Sequence, residues 1–596
     1  MSIKERNEIS NEYKWSIEDI FPTDDAWENA LNKAKEYALK VSTFNGKISK
    51  SATDLLDYFS LSDEISILFD SLVNYAQRKL DEDTRNSKYQ DMVARLMSVA
   101  MELSSNGAFE TPEILSMSND TLNDFYKQQP KLELYKLYID RIRDRQKHIL
   151  SEKEEQLISM TGKMASSPDT IFTMFNNADL KFPNAIDKDG NEHTLTHGTY
   201  ISLMQSSDRV LRKSAFENLY STYDSFKNTV ASVLSAQVEQ LTFYSKVRKY
   251  NSNLEASLDG NHVPIDVYKN LIKSVHDNMH YMYKYTKLRK KLLGVEELHM
   301  YDMYVPLVKD YDVSIDFDTA KLEVENSLKV MGEDYVSIYN SAFTQKWIDV
   351  YENVGKCSGA YSAGAKVHPY VLLNYNNTLD SEFTLAHEMG HAIHSYYSNK
   401  YQPTVYSDYV IFVAEVASTC NESLLMQHLL KNTDDKLRRA YLINYFLEQF
   451  RTTLYRQTMF AEFELKINEI VESGQSLTAD MLNTIYADLN RLYFGDDVII
   501  DDQIALEWSR IPHFYYNFYV YQYATGFSSA IALSRRILNE GKSAVDDYIN
   551  FLKGGCSKNP VDLLKGAGVD VSSSEVVSSA LELFGQLIDE LDSLLS

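Results

Sequence analysis

Thr384-Leu385-Ala386-His387-Glu388-Met389-Gly390-His391-Ala392-Ile393-His394 is the stretch on which the reading of this chain turns. It contains no proline, and its alanine, leucine, methionine and isoleucine residues suit a largely buried helix. On an α-helix each residue advances about 100° and about 1.5 Å. His387 and His391 then lie about 40° and about 6 Å apart, close enough for both imidazoles to reach one ion. Glu388 points roughly a quarter turn away, where it can take a proton from water. Asp380 or Ser381 is placed to cap the helix. Gly390 costs up to about 1 kcal/mol against alanine inside a helix; close approach by another backbone would be a reason to keep it.

Imidazole nitrogens suit Zn²⁺, and a catalytic zinc takes three protein ligands and keeps an open position. His-Glu-x-x-His on a helix therefore points to one zinc per chain and a peptide-hydrolysing site, with Glu388 as general base. The bland alternative is a surface helix with two solvated histidines. A third ligand is sought in a second helix expected from about Tyr409 to Leu430. There Glu415 interrupts Val410-Ile411-Phe412-Val413-Ala414-Glu415-Val416-Ala417, and a carboxylate among such neighbours is costly to bury without a partner. A cation explains it; a buried pair with arginine or lysine is the competing explanation. Ser418 and Glu422 share the face of Glu415, and Glu422 is placed to accept from a ligand histidine. His394 is the alternative third ligand. It lies on the same stripe as His387, but about 10 Å along the axis.

A third signal is Arg510-Ile511-Pro512-His513-Phe514-Tyr515-Tyr516-Asn517-Phe518-Tyr519-Val520-Tyr521-Gln522-Tyr523. Pro512 fits a helix start with His513 at its mouth. Tyr516, Tyr519 and Tyr523 then fall on one face. Neutral donors of this kind can stabilise a tetrahedral oxyanion; an aromatic core stripe is the plain alternative.

Upstream of the first stretch, Gly355, Gly359 and Gly364 mark a loop. His368-Pro369-Tyr370-Val371-Leu372-Leu373-Asn374-Tyr375 reads as an edge strand with proline near its start. Such an edge can hold an extended peptide by strand addition, with Tyr370 against the substrate; a small structural sheet is the alternative.

The whole chain has 596 residues, only 11 prolines and 21 glycines, and apolar residues at helical spacing through most of its length. That predicts a mainly α-helical protein. Long amphipathic runs span 55–79, 131–160, 207–246 and 435–472. Asp189-Gly190 signals a hairpin within 182–195. Three consecutive blocks are expected: an N-terminal helical region at 1–110, a second helical domain with the hairpin at 111–200, and a catalytic domain at 201–596. The formal charge of −25 argues against nucleic acid as the main partner. Cys357, Cys420 and Cys556 lie far apart and form no disulfide framework. The first residues lack the apolar core of a signal peptide, and no apolar run of membrane-spanning length occurs. A cytoplasmic location without membrane association is the resulting expectation; the oligomeric state is left open.

With these residues in view, the chain resembles oligoendopeptidase F, a branch of the thimet-oligopeptidase family of zinc peptidases. Tyr13-Lys14-Trp15 with Glu18-Asp19-Ile20-Phe21-Pro22 is similar to that branch's N-terminal signature. Tyr75-Ala76, Lys79 and Asp81-Glu82-Asp83-Thr84 resemble its next block, and Gly359-Ala360-Tyr361-Ser362 and Pro369 to Tyr375 the stretch before its metal helix. The resemblance implies zinc on His387, His391 and Glu415, the last in a Glu-x-x-Ser-x-x-x-Glu setting with Ser418 and Glu422. It implies Glu388 as base and His513 as a substrate-contacting histidine, with Tyr519 and Tyr523 matching less cleanly. It also implies a nearly all-helical body enclosing the metal in a deep channel that admits short unfolded oligopeptides.

The expected activity is thus zinc-dependent cleavage of internal bonds in short peptides, with His513 and Tyr523 aiding catalysis and Tyr516, Tyr519 and Tyr370 contacting substrate. A zinc carboxypeptidase or dipeptidase is the nearest rival, and would need a cation for the substrate's terminal carboxylate. A non-catalytic peptide-binding protein with a structural zinc is the distant one; such sites usually fill all four positions, often with cysteine, and no cysteine adjoins the motif.

Overall fold

Scarce breakers and long amphipathic runs give a chain of helices joined by short turns. The computed structural model describes residues 3–308 and 314–596. The run read at 55–79 is one helix, Ala52–Glu82, capped by Ser51 accepting from the Asp54 amide, and it buries Leu55, Phe59, Leu72 and Tyr75. The run at 435–472 is also continuous: Lys436–Gln449 and Arg456–Glu472 are joined by a π-helical turn at Phe450–Tyr455. Two expected runs are broken. Within 131–160, Lys136–Asp144 ends before Glu152–Ala165 starts. The restart is a capping box in which Ser151 and Glu154 satisfy each other's amides. Within 207–246, Arg209–Asp224 and Lys227–Val247 are separated at Ser225-Phe226.

The helices gather into two compact units, each assembled from several stretches: 1–147, 313–428 and 533–568 in the first; 148–312, 429–532 and 569–596 in the second. The three blocks expected at 1–110, 111–200 and 201–596 are consecutive stretches of sequence, whereas these units are groupings by packing. Apolar periodicity marks helices but not which helices share a core.

In the first unit, a three-stranded sheet is built from Ile348–Asp349, Tyr361–Ala363 and Tyr370–Leu372. Tyr370–Leu372 lies in the middle, parallel to Ile348–Asp349 and antiparallel to Tyr361–Ala363. The edge strand expected at 368–375 is therefore a central one. Its residues are buried beneath Trp15, Trp27, Leu72 and Tyr75, so a face read as open is packed on the N-terminal helices. The edge strands are Ile348–Asp349 and Tyr361–Ala363. The loop leading to the second is pinned by Lys356, which is fully buried, contacts the Asp349 carboxylate at 2.8 Å and donates to the Tyr351 carbonyl at 2.7 Å.

In the second unit, Ala185–Ile186 and Glu192–His193 form the expected hairpin, with Gly190 at φ +85° in its turn. The C-terminal helix Ser574–Leu595 packs against Ile265–Asp277, Met279–Leu293 and Lys436–Gln449. Phe584 lies in this core, 5.4 Å from the Phe450 ring and 5.5 Å from that of Tyr455. No helix among the described residues is long and apolar enough to cross a membrane, and the three cysteines are free.

Candidate metal centre and donor cluster

The motif lies on helix Leu379–Tyr401 of the first unit. Its cap is Thr378, whose hydroxyl accepts from the Ser381 amide at 3.2 Å, and neither Asp380 nor Ser381 takes that role. The expected second helix is present as Ile411–Lys431. Gly390 explains how the two come together. A Cβ at this position would stand 2.6 Å from Ser418 Cα and 2.7 Å from the Ala417 carbonyl oxygen. No real Cβ tolerates that approach, so glycine lets the second backbone press against the first. A second tie was not read from the sequence. Buried Asn421 donates to the carbonyl of Ala386, the residue before His387, at 3.2 Å, and is itself held by the Tyr335 hydroxyl at 2.8 Å.

The close approach brings three donor atoms together. His387 Nε2 and His391 Nε2 are 3.2 Å apart, and Glu415 Oε2 lies 3.3 Å from the first and 3.6 Å from the second. Ligand atoms on a tetrahedral zinc with bonds of about 2.0–2.1 Å stand about 3.3 Å apart. The triangle therefore fits zinc without rearrangement, and it is the group of His, Cys, Asp and Glu that converges on one point among the described residues. Glu415 has the two imidazoles as its ion-pair partners, with no arginine or lysine among the described residues.

The surroundings prepare these atoms. Glu422 pairs with Nδ1 of His387, which turns Nε2 towards the other two donor atoms. The Ser418 hydroxyl donates to Glu415 Oε2 at 3.1 Å. Burial disfavours an imidazolium at His387, yet Glu415 and Glu422 outweigh it and hold its pKa well above the usual value. Burial likewise disfavours a charged Glu415, and the two histidines overcome it and hold the carboxylate well below its usual range. Glu388 is buried, and its Oε2 has no hydrogen-bond partner among the described residues. Burial raises its pKa, with His387 and His391 pulling the other way. Three carboxylates around two imidazoles are an excess of negative charge that a dication offsets.

His394 is not part of this group. Its ring stacks on Tyr409 at 3.8 Å and 8°, with Phe551 on a further side at 5.4 Å, and burial lowers its pKa to about 3. Tyr370 is fully buried, and its hydroxyl donates to the Ser16 carbonyl at 2.9 Å. Contrary to expectation, its side chain faces the core and not a substrate, because the strand it belongs to is central. Beside the Tyr361–Ala363 edge is a cleft of about 450 Å³ lined by Ser362, Gly364, Lys366, Ser395, Asn399 and Tyr409. The buried Ser362 hydroxyl has no hydrogen-bond partner among the described residues.

In the second unit, the segment before His513 is fixed by buried Glu507, which accepts from Tyr486 at 2.6 Å, Arg456 at 2.8 Å and Arg510 at 3.3 Å. Pro512–Tyr515 then forms a short 3₁₀ turn and not the start of the expected helix. Asn517 and Phe518 take left-handed conformations at φ 51° and 60°, and the helix begins only at Tyr521. Tyr516 and Tyr519 therefore do not share a helical face with Tyr523. Their rings nevertheless meet around His513, whose centroid is 5.6 Å from Tyr516, 6.3 Å from Tyr519 and 6.0 Å from Tyr523. Phe514 and Tyr515 are buried, whereas Tyr516 is exposed and His513, Tyr519 and Tyr523 are half-buried. Burial lowers the His513 pKa, which favours the neutral ring.

Comparison with known proteins agrees with this chemistry. The sequence profile of peptidase family M3 matches residues 202–583, and that of oligopeptidase F matches 113–182. The chain is 45% identical to oligopeptidase PepF of Bacillus subtilis over 594 residues, covering all of this chain and 89% of the relative. It is 38% identical to group B oligopeptidase PepB of Streptococcus agalactiae over 592 residues, covering 99% and 98%. The crystal structure of oligoendopeptidase F from Enterococcus faecium superposes with a TM-score of 0.75 at 37% identity, covering 96% of this chain and 99% of that one. A mainly helical fold, two imidazoles and a carboxylate in a zinc-sized triangle, and full-length similarity converge: the chain belongs to peptidase family M3, in its oligopeptidase F branch, and is a metalloendopeptidase.

Proposed function

We propose that this chain cleaves internal bonds of short, unfolded oligopeptides with one zinc held by His387, His391 and Glu415. The observation that carries the reading is the triangle of donor atoms, 3.2, 3.3 and 3.6 Å on its sides, beside the unpartnered Glu388 Oε2. Bound zinc supplies a Lewis acid that polarises the scissile carbonyl and acidifies water.

The residues of the chain do the rest. Glu422 keeps the His387 ring in the tautomer whose Nε2 is a ligand. Glu388 takes a proton from the attacking water at Oε2 and delivers it to the leaving amine. Its burial is useful here, because a carboxylate whose pKa is raised is a stronger base towards the proton of the attacking water. The edge at Tyr361–Ala363 offers backbone groups to an extended peptide, and the polar cleft beside Ser362 gives such a peptide room. His513, with Tyr516, Tyr519 and Tyr523 around it, is a cluster of neutral donors of the kind that suits a peptide substrate and its oxyanion.

The test is Glu388→Gln, assayed on an internally quenched peptide blocked at both ends. Zinc content is expected to stay at one per chain while kcat falls about 10²- to 10⁴-fold. Activity of the unaltered chain should disappear with a chelator and return with Zn²⁺. Near-normal turnover by the glutamine variant removes Glu388 from the mechanism, and failure to cut a doubly blocked peptide removes the internal-bond assignment.

A further inference from the structure

His513 and its tyrosines stand on a backbone that should not hold its shape unaided. Asn517 and Phe518 are consecutive non-glycine residues at φ 51° and 60°. Asparagine tolerates that region, but an aromatic residue there is a genuine outlier that persists only when its surroundings over-determine it. Three side-chain hydrogen bonds from buried groups supply the determination. Gln237, on helix Lys227–Val247, donates from Nε2 to the Tyr515 carbonyl at 3.1 Å and to Asn517 Oδ1 at 3.0 Å. Glu464, on helix Arg456–Glu472, accepts the Phe518 amide on Oε1 at 2.9 Å. The Phe518 ring is 2% exposed and meets Tyr268 edge-on at 5.6 Å.

We propose that Glu464 and Gln237 are positioning residues, which hold the left-handed bend at Asn517-Phe518 and so present His513, Tyr516 and Tyr519 as one cluster. The inference rests on the donor role proposed for His513. Their hydrogen bonds go to Tyr515, Asn517 and Phe518 and not to the rings they place. Gln237 is 5% and Glu464 2% exposed.

The choice of glutamate has a consequence. Glu464 Oε2 is buried without a hydrogen-bond partner among the described residues. Burial raises its pKa to about 8, offset only by the Phe518 amide. The titratable neighbour that senses it is Tyr268, on helix Ile265–Asp277, which also senses Tyr521, Tyr493 and, on the helix of Glu464 itself, Glu462. Glu462 is engaged by His276 and Lys466. At neutral pH the side chain is an uncharged acid whose carbonyl oxygen takes the amide proton. Above about pH 8 it becomes a buried carboxylate without a compensating cation, and water entering to solvate it loosens the bend.

Steady-state kinetics from pH 6 to 9.5, with zinc content and thermal melts recorded for each protein, tests this. Glu464→Ala and Gln237→Ala are each expected to lower kcat roughly ten- to hundredfold, the scale on which a misplaced group loses rate, with KM and zinc content little changed. Glu464→Gln keeps an oxygen for the Phe518 amide and cannot ionise, so it should retain wild-type kcat at pH 7 and lack the fall that the unaltered chain shows above about pH 8. In a His513→Ala background, Glu464→Ala should lower kcat by a smaller factor than it does alone. If His513→Ala itself leaves kcat unchanged, the donor role fails. If His513→Ala is impaired while both alanine variants of the supports turn over normally, or if Glu464→Gln keeps the alkaline fall, the positioning role alone is overturned. Should Glu464→Ala not fold, Gln237→Ala and the pH profile of Glu464→Gln decide.

Discussion

His387, His391 and Glu415 hang from two regular helices pressed together at Gly390, whereas His513, Tyr516 and Tyr519 hang from a stretch that changes hand at Asn517. The first cluster is built from opposed charges: the two imidazoles hold the Glu415 carboxylate below its usual range, and Glu415 and Glu422 raise the pKa of His387. The second is kept neutral, since burial lowers the pKa of His513. The contrast fits two tasks. An ion needs ligands at fixed spacing, which helices supply cheaply because periodicity sets it. Donors aimed at a developing charge, the role proposed for the second cluster, need a particular direction, which an unusual backbone can set.

Three substitutions probe how far this division holds. Glu415→Ala attacks the charged cluster where it depends on a second helix. Zinc affinity should fall by more than about a hundredfold, beyond the loss typical of a group that merely supports a ligand, as read by competition with a chromogenic chelator. Retention of tight, stoichiometric zinc would mean that another group, such as His394, serves as third ligand. His513→Ala attacks the neutral cluster. It should lower kcat about 10²- to 10³-fold, the usual scale for one oxyanion donor, and leave zinc binding untouched; a drop in zinc content would show that the two clusters are not separable. Gly390→Ala is the mildest. A methyl group placed 2.6 Å from Ser418 Cα must force the helices apart, and overpacking of this kind costs about 1–3 kcal/mol. A lowered melting temperature with weakened zinc binding is expected, and an unchanged melt would show that the helix contact has slack.

Much of the metal centre was legible because helical spacing is a strict rule. His387, His391 and Glu388 follow from four residues of separation. Glu415 is suggested by the cost of burying a charge among apolar neighbours, and a reason for Gly390 by its penalty in a helix; the structure groups the three candidate donor atoms and places Ser418 against Gly390. The mainly helical fold was legible for the same reason. What escaped depends on partners remote in sequence. Tyr370–Leu372 reads as an edge strand because the residues that cover it, among them Trp15 and Trp27, lie more than three hundred positions earlier. Asn421 and Gln237 are ordinary polar residues on their helices until the carbonyls they hold come into view. The break near 150 was within reach, since Ser151 and Glu154 have capping-box spacing. The bend at Asn517-Phe518 was not, since no glycine announces it.

The contact at Gly390 carries one last implication, for which ions the protein can tolerate. Because the facing main chains already touch, the helices behave like the fixed jaws of a calliper. Ions whose bonds to oxygen run to about 2.3–2.6 Å and that want six or more ligands would need those jaws to open. A donor spacing suited to short metal bonds is thus set by a residue with no side chain.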